Sequence, residues 1–231
     1  MYILFVTDGQ LVTVGVLIVH SWRYELGIKE RREREKKIRE SQIIDAAEAV
    51  FFSKGFEFST MDDVARQAEL SKGALYLYFK GKKELCLAII ARSLSIVLSA
   101  FEKAAQEKTN GLGKFEKIAQ AFLEFYKEYP NYYCAMLNYR NHRCACGDDS
   151  DALRCALDGN SMINKLFASI FELGLSDGSI REDIDPLLAA RTVWGDMGGL
   201  IPGFILDEND KFSEVLFLNA MNMIKYGLKA K

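Results

Sequence analysis

The stretch from Thr60 to Lys83 carries side chains that can contact nucleic acid. From Leu70 to Lys83 it contains lysines and no acidic residue, so its charge complements that of phosphate. Hydroxyl groups can reach phosphate oxygens or base edges, and small residues let the backbone approach a duplex closely. These features predict the DNA-contacting residues Thr60, Ser71, Lys72, Gly73, Ala74, Tyr76, Tyr78 and Lys82. The alternative is an ordinary helical corner with solvated lysines.

Two short helices are predicted to position these residues. Thr60 can cap the free amide groups of the first helix, and Ser71 can cap a second helix over Lys72–Tyr78. In the second helix Leu75 faces inward, as does Phe79 one turn later. A thin second helix with a cationic outer side is what the DNA major groove admits. The pattern therefore predicts a helix-turn-helix.

A charged segment precedes the two short helices. Residues 29–40 mix both signs with a basic excess and lack an apolar stripe until Ile38. The segment is either a solvated helix with ion pairs at i,i+4 or a basic arm that reaches phosphates or the minor groove, and the two can coexist. The helix proper is predicted from about Lys36 to Lys54, and its inner face comprises Ile43, Ala47, Val50 and Phe51.

This pattern resembles the DNA-binding domain of the TetR family of bacterial transcription regulators, over roughly residues 38–87. The family motif runs from a capping serine through glycine and two aromatic positions to a Lys-x-x-Leu helix start. The matching residues are Ser71, Gly73, Tyr76, Tyr78, Phe79, Lys82 and Leu85. Two positions depart from the family pattern. Glu69 stands where the turn often has glycine, and Gly81 stands where a serine, asparagine or aspartate cap is usual.

The resemblance implies an all-α protein in which a long helix joins two domains. The expected domains are a leader at residues 1–28, a three-helix helix-turn-helix DNA-binding domain at 29–84, and a helical effector-binding and dimerisation domain at 85–231. It also implies a homodimer on double-stranded DNA with a palindromic operator, whose recognition helices lie about 34–36 Å or a multiple apart. The expected function is repression that ends when a small apolar or aromatic effector binds.

The composition favours a helical protein of the cytoplasm. Apolar residues make up 49% of the 231 residues, which is ample for a packed core, and only three prolines interrupt the chain. The net charge of −2 requires that any nucleic-acid interface be locally basic, and residues 29–83 are basic where residues 141–231 are acidic. Five cysteines, without the spacing of a disulfide scaffold, favour a reducing compartment.

Residues 1–28 differ in character from the rest of the chain. The apolar, β-branched run over 11–19 is shorter than the roughly 20 residues that span a bilayer, so no membrane partner is expected. We interpret the segment as a misassigned upstream extension, because no methionine lies between Met1 and Met61 and the true start can be a non-standard codon. The alternative is an anchoring or strand-forming tail.

Six helices are predicted downstream, over residues 82–106, 115–129, 131–139, 150–175, 187–206 and 211–228. The last helix is apolar almost all round, so it must be buried on more than one side. A second subunit is the simplest partner, and the predicted dimer-interface residues are Gly198, Ile201, Val215, Leu218 and Met221. Glycines inside the fifth helix each cost about 1 kcal/mol against alanine, which predicts a close helix approach there.

Aromatic and methionine side chains of these helices form a predicted effector pocket. They are Phe122, Phe125, Tyr126, Tyr133, Met136, Met162, Phe171, Trp194 and Met197. Each residue alone is most simply part of a core, whereas the resemblance favours a pocket for the set. It implies that the ligand shifts the long helix beginning at Lys82 and changes the spacing of the two recognition helices.

A cluster of cysteines supports a different regulator on the same scaffold. His142, Cys144, Cys146 and Cys155 lie close in sequence, and such groups can bind a soft metal or sense oxidants. The spacing is not that of a zinc finger, so no metal is expected, and a metal- or redox-responsive regulator using Cys144 and Cys146 is the runner-up. A third hypothesis is a helical interaction protein that does not bind DNA. No catalytic motif or cofactor site is recognised.

Overall fold

The structure, a computed structural model, describes residues 5–7, 10–12, 15–142, 151–200 and 210–230, with side chains described over 28–136, 152–198 and 214–230. The chain forms two compact units, Met1–Tyr78 and Phe79–Lys231, called here the N-terminal and C-terminal units. The boundary falls six residues before the predicted domain boundary at residue 84. The difference arises because the whole of the long helix that begins at Lys82 belongs to the C-terminal unit.

The N-terminal unit comprises a small hairpin and three helices. Strands β1 (Phe5–Thr7) and β2 (Gln10–Val12) pair antiparallel, and the second contains only the first two residues of the apolar run over 11–19. Helix α1 spans Gly15–Lys54 and is followed by α2 (Met61–Gln67) and α3 (Lys72–Tyr76). The first helix thus starts well before the predicted Lys36.

Local interactions explain both helix boundaries that differ from prediction. The charged segment of α1 is helical because it consists of strong helix formers with ion pairs one turn apart, such as Arg31–Glu35 at 2.8 Å. Helix α3 ends at Tyr76 rather than Tyr78, because the last amides bond to carbonyls three residues back. The Tyr78 amide, for example, donates to the Leu75 carbonyl at 3.0 Å.

The core of the N-terminal unit is made by one face of each helix. The predicted inner face of α1 is confirmed, and its residues Ile43, Ala47, Val50 and Phe51 are buried. Ala46 of α1, Ser59, residues Met61, Val64 and Ala65 of α2, and Leu75 of α3 are buried as well. Helix α1 packs on α2, and α2 contacts α3. The two short helices are therefore held by apolar burial rather than by their own helical propensity.

Among the residues that the structure describes, the C-terminal unit consists of helices joined by short connections, such as residues 106–110 and 177–185, with one isolated backbone bridge between Ile180 and Lys229. Its helices are α4 (Lys82–Ala105), α5 (Gly111–Glu128), α6 (Pro130–His142), α7 (Asp151–Ser176), α8 (Pro186–Leu200) and α9 (Asp210–Leu228). Gly81 caps α4 without a side-chain hydrogen bond. The predicted helices are confirmed to within a few residues. The largest differences are that α5 begins at Gly111 rather than at residue 115 and that α6 ends at His142 rather than at residue 139. Residues 201–206, predicted as the end of the fifth helix, lie outside the described residues.

Helix α4 is the central helix of the C-terminal unit. It packs against α5, α6 and α7. Its length and hydropathy would suffice to cross a membrane, but more than half of its apolar window is buried inside the protein, which is typical of a core helix.

The start of α5 is fixed to the loop that follows α7. The backbone amide of Gly111 donates to Asp177 Oδ2 at 2.8 Å, and that of Leu112 donates to Ser179 Oγ at 3.1 Å. Hydrogen bonds from Ser179 and Gly111 hold the pKa of Asp177 below its usual value. Gly111 also approaches Gly174 so closely that a Cβ at position 111 would lie 2.3 Å from the Gly174 Cα. The contact therefore requires glycine at position 111.

Candidate DNA-binding surface

Helix α2 is anchored by a capping box that also ties it to the end of α1. The Thr60 hydroxyl accepts a hydrogen bond from the Asp63 amide at 3.1 Å and donates to Asp63 Oδ2 at 2.7 Å, and the Thr60 amide donates to the same oxygen at 2.9 Å. Lys54 Nζ reaches Asp63 Oδ2 at 2.8 Å. Lys54 and then Thr60 hold the pKa of Asp63 far below its usual range. The hydroxyl of Thr60 is thus engaged inside the box.

The turn between α2 and α3 is a Schellman motif with glutamate at the position that favours glycine. The Leu70 amide donates to the Ala65 carbonyl at 2.9 Å, and the Glu69 amide donates to the Arg66 carbonyl at 3.2 Å. This geometry requires a left-handed residue between the helices, and Glu69 has φ of 55°. A non-glycine residue in this conformation is strained by roughly 1–2 kcal/mol.

Helix α3 buries one residue and exposes the others. Leu75 is fully buried, whereas Ser71, Lys72, Gly73 and Tyr76 are exposed. The Ser71 hydroxyl caps the helix by accepting from the Ala74 amide at 3.1 Å. A Cβ at Gly73 would meet nothing within 4 Å, so the helix is open to a partner along this side. The exposed side is thin and carries hydroxyl and ammonium groups.

In the absence of DNA, the carboxylate of Asp62 partly neutralises the charge of Lys72. Lys72 Nζ lies 2.8 Å from Asp62 Oδ1, and both side chains are more than half exposed. The hydrogen bond to Asp62 raises the pKa of Lys72. A phosphate or base that binds Lys72 must therefore replace this carboxylate.

The structure brings most of the predicted contact residues to one segment. Ser71, Lys72, Gly73 and Tyr76 share the exposed side of α3, and Ala74 and Tyr78 are half-buried beside it. Lys82 begins α4 and belongs to the C-terminal unit. Leu77 is a residue that the sequence analysis missed, and it is 83% exposed. A leucine so exposed beside the recognition helix can contact a thymine methyl group.

The residues of the predicted effector pocket lie in or against one aromatic core, with one exception. The Phe122 ring centroid lies 5.9 Å from that of Trp194 and 6.2 Å from that of Tyr133. Phe125, Phe171 and Met197 belong to the same cluster, and Tyr126 and Met136 pack against it, whereas Met162 is 49% exposed on α7. The indole N–H group of Trp194 has a hydrogen-bond partner, because Trp194 Nε1 donates to Asn160 Oδ1 at 2.7 Å.

The residues of the predicted dimer interface lie in different environments. Val215 and Leu218 are exposed on α9, with 63% and 41% of their surface accessible. Met221 is buried in the aromatic core of its own protomer, because it faces the opposite side of α9. Gly198 is half-buried, and its carbonyl accepts from the Tyr133 hydroxyl at 3.3 Å. Ile201 lies outside the described residues.

The cysteine cluster is not brought together by the part of the chain that the structure describes. Cys144 and Cys146 lie outside that part, and the side chain of His142 is also not described. Cys155 is exposed on α7. No group of three potential metal ligands occurs among the described residues.

Sequence comparison finds known proteins that are similar to the segment containing the helix-turn-helix. Residues 43–89 match the sequence model of the bacterial regulatory proteins of the tetR family. The fatty acid metabolism regulator protein of Bacillus subtilis (strain 168) is 22% identical over 195 residues, which are 81% of this chain and 94% of that protein.

Two solved structures show the same fold over most of the chain. The transcriptional regulator FadR from Bacillus subtilis, in complex with stearoyl-CoA, has a TM-score of 0.65 at 19% identity. The match covers 81% of this chain and 98% of the FadR chain. The ketosteroid transcriptional regulator KstR2 of Mycobacterium tuberculosis has a TM-score of 0.62 at 18% identity. The match covers 84% of this chain and 96% of the KstR2 chain. The site and the fold define a helix-turn-helix transcription regulator. Residues 43–89 are thus similar to the tetR family of bacterial regulatory proteins, and the chain shares the fold of these solved transcription regulators.

Replacing Glu69 by glycine is expected to stabilise the protein and to strengthen DNA binding. Glycine relieves the left-handed strain at a net gain of up to about 1 kcal/mol, after its own entropy cost in the unfolded chain. It also removes a carboxylate from the turn before the recognition helix. Urea unfolding and fluorescence anisotropy with duplex DNA measure the two effects.

The matched control is Glu69→Ala, which removes the carboxylate and keeps the strain. We expect this variant to gain DNA affinity without gaining stability. Equal stability of the glycine and alanine variants would show that the turn is not strained at this position.

Proposed function

We propose that the protein is a transcriptional repressor that binds a palindromic operator in the cytoplasm as a homodimer and releases it when an apolar effector binds. The observation that carries the proposal is the exposed, cationic side of α3 within the segment that matches the tetR family. A major-groove reader needs this combination of a thin helix, hydrogen-bonding groups and positive charge.

The proposal of a homodimer is supported by an uncharged, exposed stripe on α9. Among the residues of this helix whose side chains are described, the exposed ones recur at helical spacing, and they are Val215, Leu218, Asn219, Asn222, Met223, Tyr226 and Gly227. On α8, Leu187 and Leu188 are also exposed. A Cβ at Gly195 would meet nothing within 4 Å among the described residues, so the close helix approach predicted for this glycine is not made there, and a second copy would supply it. A two-fold dimer in turn presents two recognition helices and requires a palindrome.

The class of effector follows from the core of the C-terminal unit and from the relatives. The core is unusually aromatic, with Phe101, Phe122, Phe167, Trp194 and Phe217 in ring contact. A fatty acid regulator, a structure holding stearoyl-CoA and a ketosteroid regulator are among the similar proteins. We infer an apolar effector that carries a carbonyl group.

Ser93 on α4 is the residue we assign to the polar end of this effector. It is completely buried, and its hydroxyl has no hydrogen-bond partner in the part of the chain that the structure describes. Its neighbours Ile90, Leu94 and Val97 belong to the aromatic core cluster. An unsatisfied buried hydroxyl costs about 1–3 kcal/mol, and a ligand carbonyl would remove that cost. Such a contact would act directly on α4, which begins four residues after the N-terminal unit ends.

Replacing Lys72 and Tyr76 by alanine is expected to weaken sequence-specific DNA binding at least tenfold, since each base contact contributes about 1–3 kcal/mol. The measurement is fluorescence anisotropy on a duplex that the wild-type protein selects from a random-sequence library. Lys117→Ala, at an exposed lysine of α5, serves as the control and should bind normally. Unchanged affinity of the double variant would favour a helical interaction protein that does not bind DNA.

Replacing Leu218 by glutamate is expected to convert a dimer into monomers, because it places a charge in the apolar stripe of α9. Native mass spectrometry of the purified protein reports the subunit count and the mass of any retained ligand. Leu157→Glu, at an exposed leucine of α7, is the control and should remain dimeric. A wild-type protein that is monomeric at all concentrations would contradict the two-fold model.

Stearoyl-CoA is expected to release the selected duplex, whereas coenzyme A without an acyl chain is not. Ser93→Ala should need roughly fivefold more stearoyl-CoA, because one hydrogen bond contributes about 1 kcal/mol. The control Ser99→Ala changes an exposed serine of the same helix and should respond as the wild type does. Identical responses of both variants would remove Ser93 from the effector site, and release by coenzyme A alone would contradict an apolar effector.

A further inference from the structure

Among the residues that the structure describes, two buried polar side-chain atoms lack a hydrogen-bond partner. One is Ser93 Oγ, which we assign to the effector carbonyl, and the other is Asn164 Oδ1 on α7. Asn164 is half-buried as a residue, but its side-chain oxygen is inaccessible to solvent. Because an unsatisfied buried acceptor is unfavourable, Asn164 Oδ1 is expected to gain a partner in the functional state.

The side-chain amide of Asn164 is oriented by its own helix. Its Nδ2 donates to the Asn160 carbonyl, one turn earlier, at 2.8 Å. Turning the amide over would place Oδ1 against that carbonyl, and two acceptors would then repel each other. The Asn160 side chain in turn directs its oxygen to Trp194, whose Nε1 donates to it at 2.7 Å. Asn164 Oδ1 is therefore an acceptor that needs a donor.

The neighbours of Asn164 along α7 are apolar. Ile163 and Phe167 are completely buried, and together with Ala168 they belong to the aromatic core cluster. An ordered water needs about two to four polar partners, which these side chains do not supply. A donor carried by an apolar molecule satisfies Asn164 Oδ1 without bringing water into the core.

Helices α4 and α7 pack side by side and run in the same direction. A Cβ at Gly159 would lie 3.1 Å from the Leu94 Cβ. Further along both helices, the ring centroids of Phe101 and Phe167 lie 5.7 Å apart. Residue numbers thus increase together along the two helices, which allows positions on α4 and α7 to be compared by level.

Ser93 and Asn164 lie at different levels of this helix pair. Ser93 precedes Leu94, so it lies level with the residue before Gly159. Asn164 lies beyond that level by a rise of about 9 Å. The buried side chains between the two levels include Val97 and Ile163, which are apolar. The two unsatisfied atoms are therefore separated by an apolar stretch.

We propose that the effector is a hydroxylated acyl compound, whose carbonyl accepts from Ser93 and whose hydroxyl, further along the acyl chain, donates to Asn164 Oδ1. This inference rests on the proposed effector function and narrows its chemical class. An effector with both groups satisfies α4 and α7 together, whereas a plain acyl chain leaves the acceptor on α7 unpaired. Asn164 is thus the residue that selects a hydroxylated chain over a plain one.

The test compares three acyl-CoA esters of equal chain length. The hydroxyl of 10-hydroxystearoyl-CoA lies well along the chain, that of 2-hydroxystearoyl-CoA lies beside the carbonyl, and stearoyl-CoA has none. Calorimetry with the full-length protein, freed of bound lipid, measures their affinities, and fluorescence anisotropy measures release of the selected duplex. The variant Asn164→Leu removes the acceptor and keeps the approximate size of the side chain. The control Asn131→Leu changes an exposed asparagine of α6.

We expect the wild-type protein to bind 10-hydroxystearoyl-CoA about fivefold more tightly than stearoyl-CoA, which is the factor that one net hydrogen bond contributes. The ester hydroxylated beside the carbonyl should bind no more tightly than stearoyl-CoA. Asn164→Leu should lose the preference for 10-hydroxystearoyl-CoA, and Asn131→Leu should keep it. The comparison of the three esters needs only the wild-type protein, so it holds whatever the stability of the variants.

Three outcomes would overturn the proposal. Equal affinity of the wild-type protein for stearoyl-CoA and 10-hydroxystearoyl-CoA would show that Asn164 does not select a donor. An equal gain for both hydroxylated esters would show a general effect of polarity, and a preference retained by Asn164→Leu would place the hydroxyl elsewhere. If none of the three esters bound, the proposed effector class itself would fail, and this inference with it.

Discussion

A helix of five residues is not stable alone in water, so α3 depends on the burial of Leu75. That single apolar contact decides which side of α3 faces the core and which side faces a partner. The capping hydroxyl of Ser71 and the Schellman turn at Glu69 fix where the helix starts. The rest of the N-terminal unit holds this arrangement, because α2 contacts α3 and is itself packed against α1.

Because the buried side of these helices supplies the stability, the exposed side tolerates unfavourable local features. Glu69 is strained, and Lys72 is paired with a carboxylate that DNA must displace. Neither feature carries the fold, because the buried face of α1 and the capping box at Thr60 and Asp63 supply the stability. The buried side of these short helices thus stabilises the fold, whereas the exposed side is available for contacts with a ligand. Residues on the exposed side can therefore vary without loss of stability.

In the C-terminal unit, one cluster of aromatic residues is both the core and the proposed effector site. Rings in edge contact around Phe122 and Trp194 stabilise the helical packing in the absence of a ligand. An effector has to displace some of these contacts and replace them with its own. We propose that the buried hydroxyl of Ser93, which has no hydrogen-bond partner among the described residues, favours that exchange at one point on α4. Helix α4 then carries the change, because it packs against α5, α6 and α7 together.

Much of the architecture could be predicted from residue types and spacing. The helix-turn-helix, its capping residues and the inner face of α1 follow from local hydrogen-bonding chemistry and apolar periodicity, which act over a few residues. The order of the later helices follows from the same periodicity, and the glycine and proline breaks mark their ends. Glu69 could be recognised as unusual because the turn chemistry there is itself local.

Residue types and spacing correctly predicted the all-α fold, the helix-turn-helix and its capping residues, whereas the DNA contacts of Ser71, Lys72 and Tyr76 stay predictions. The helical state of the charged segment of α1 has a local cause, namely its ion pairs one turn apart, and the sequence offered a solvated helix there as one of two alternatives. Only the tertiary structure placed Met221 in its own core, Val215 on the surface and Met162 away from the aromatic cluster. It brought Arg32 and Arg39 beside Tyr78. The physical reason is that burial and grooves arise from packing between distant segments, which no local pattern encodes.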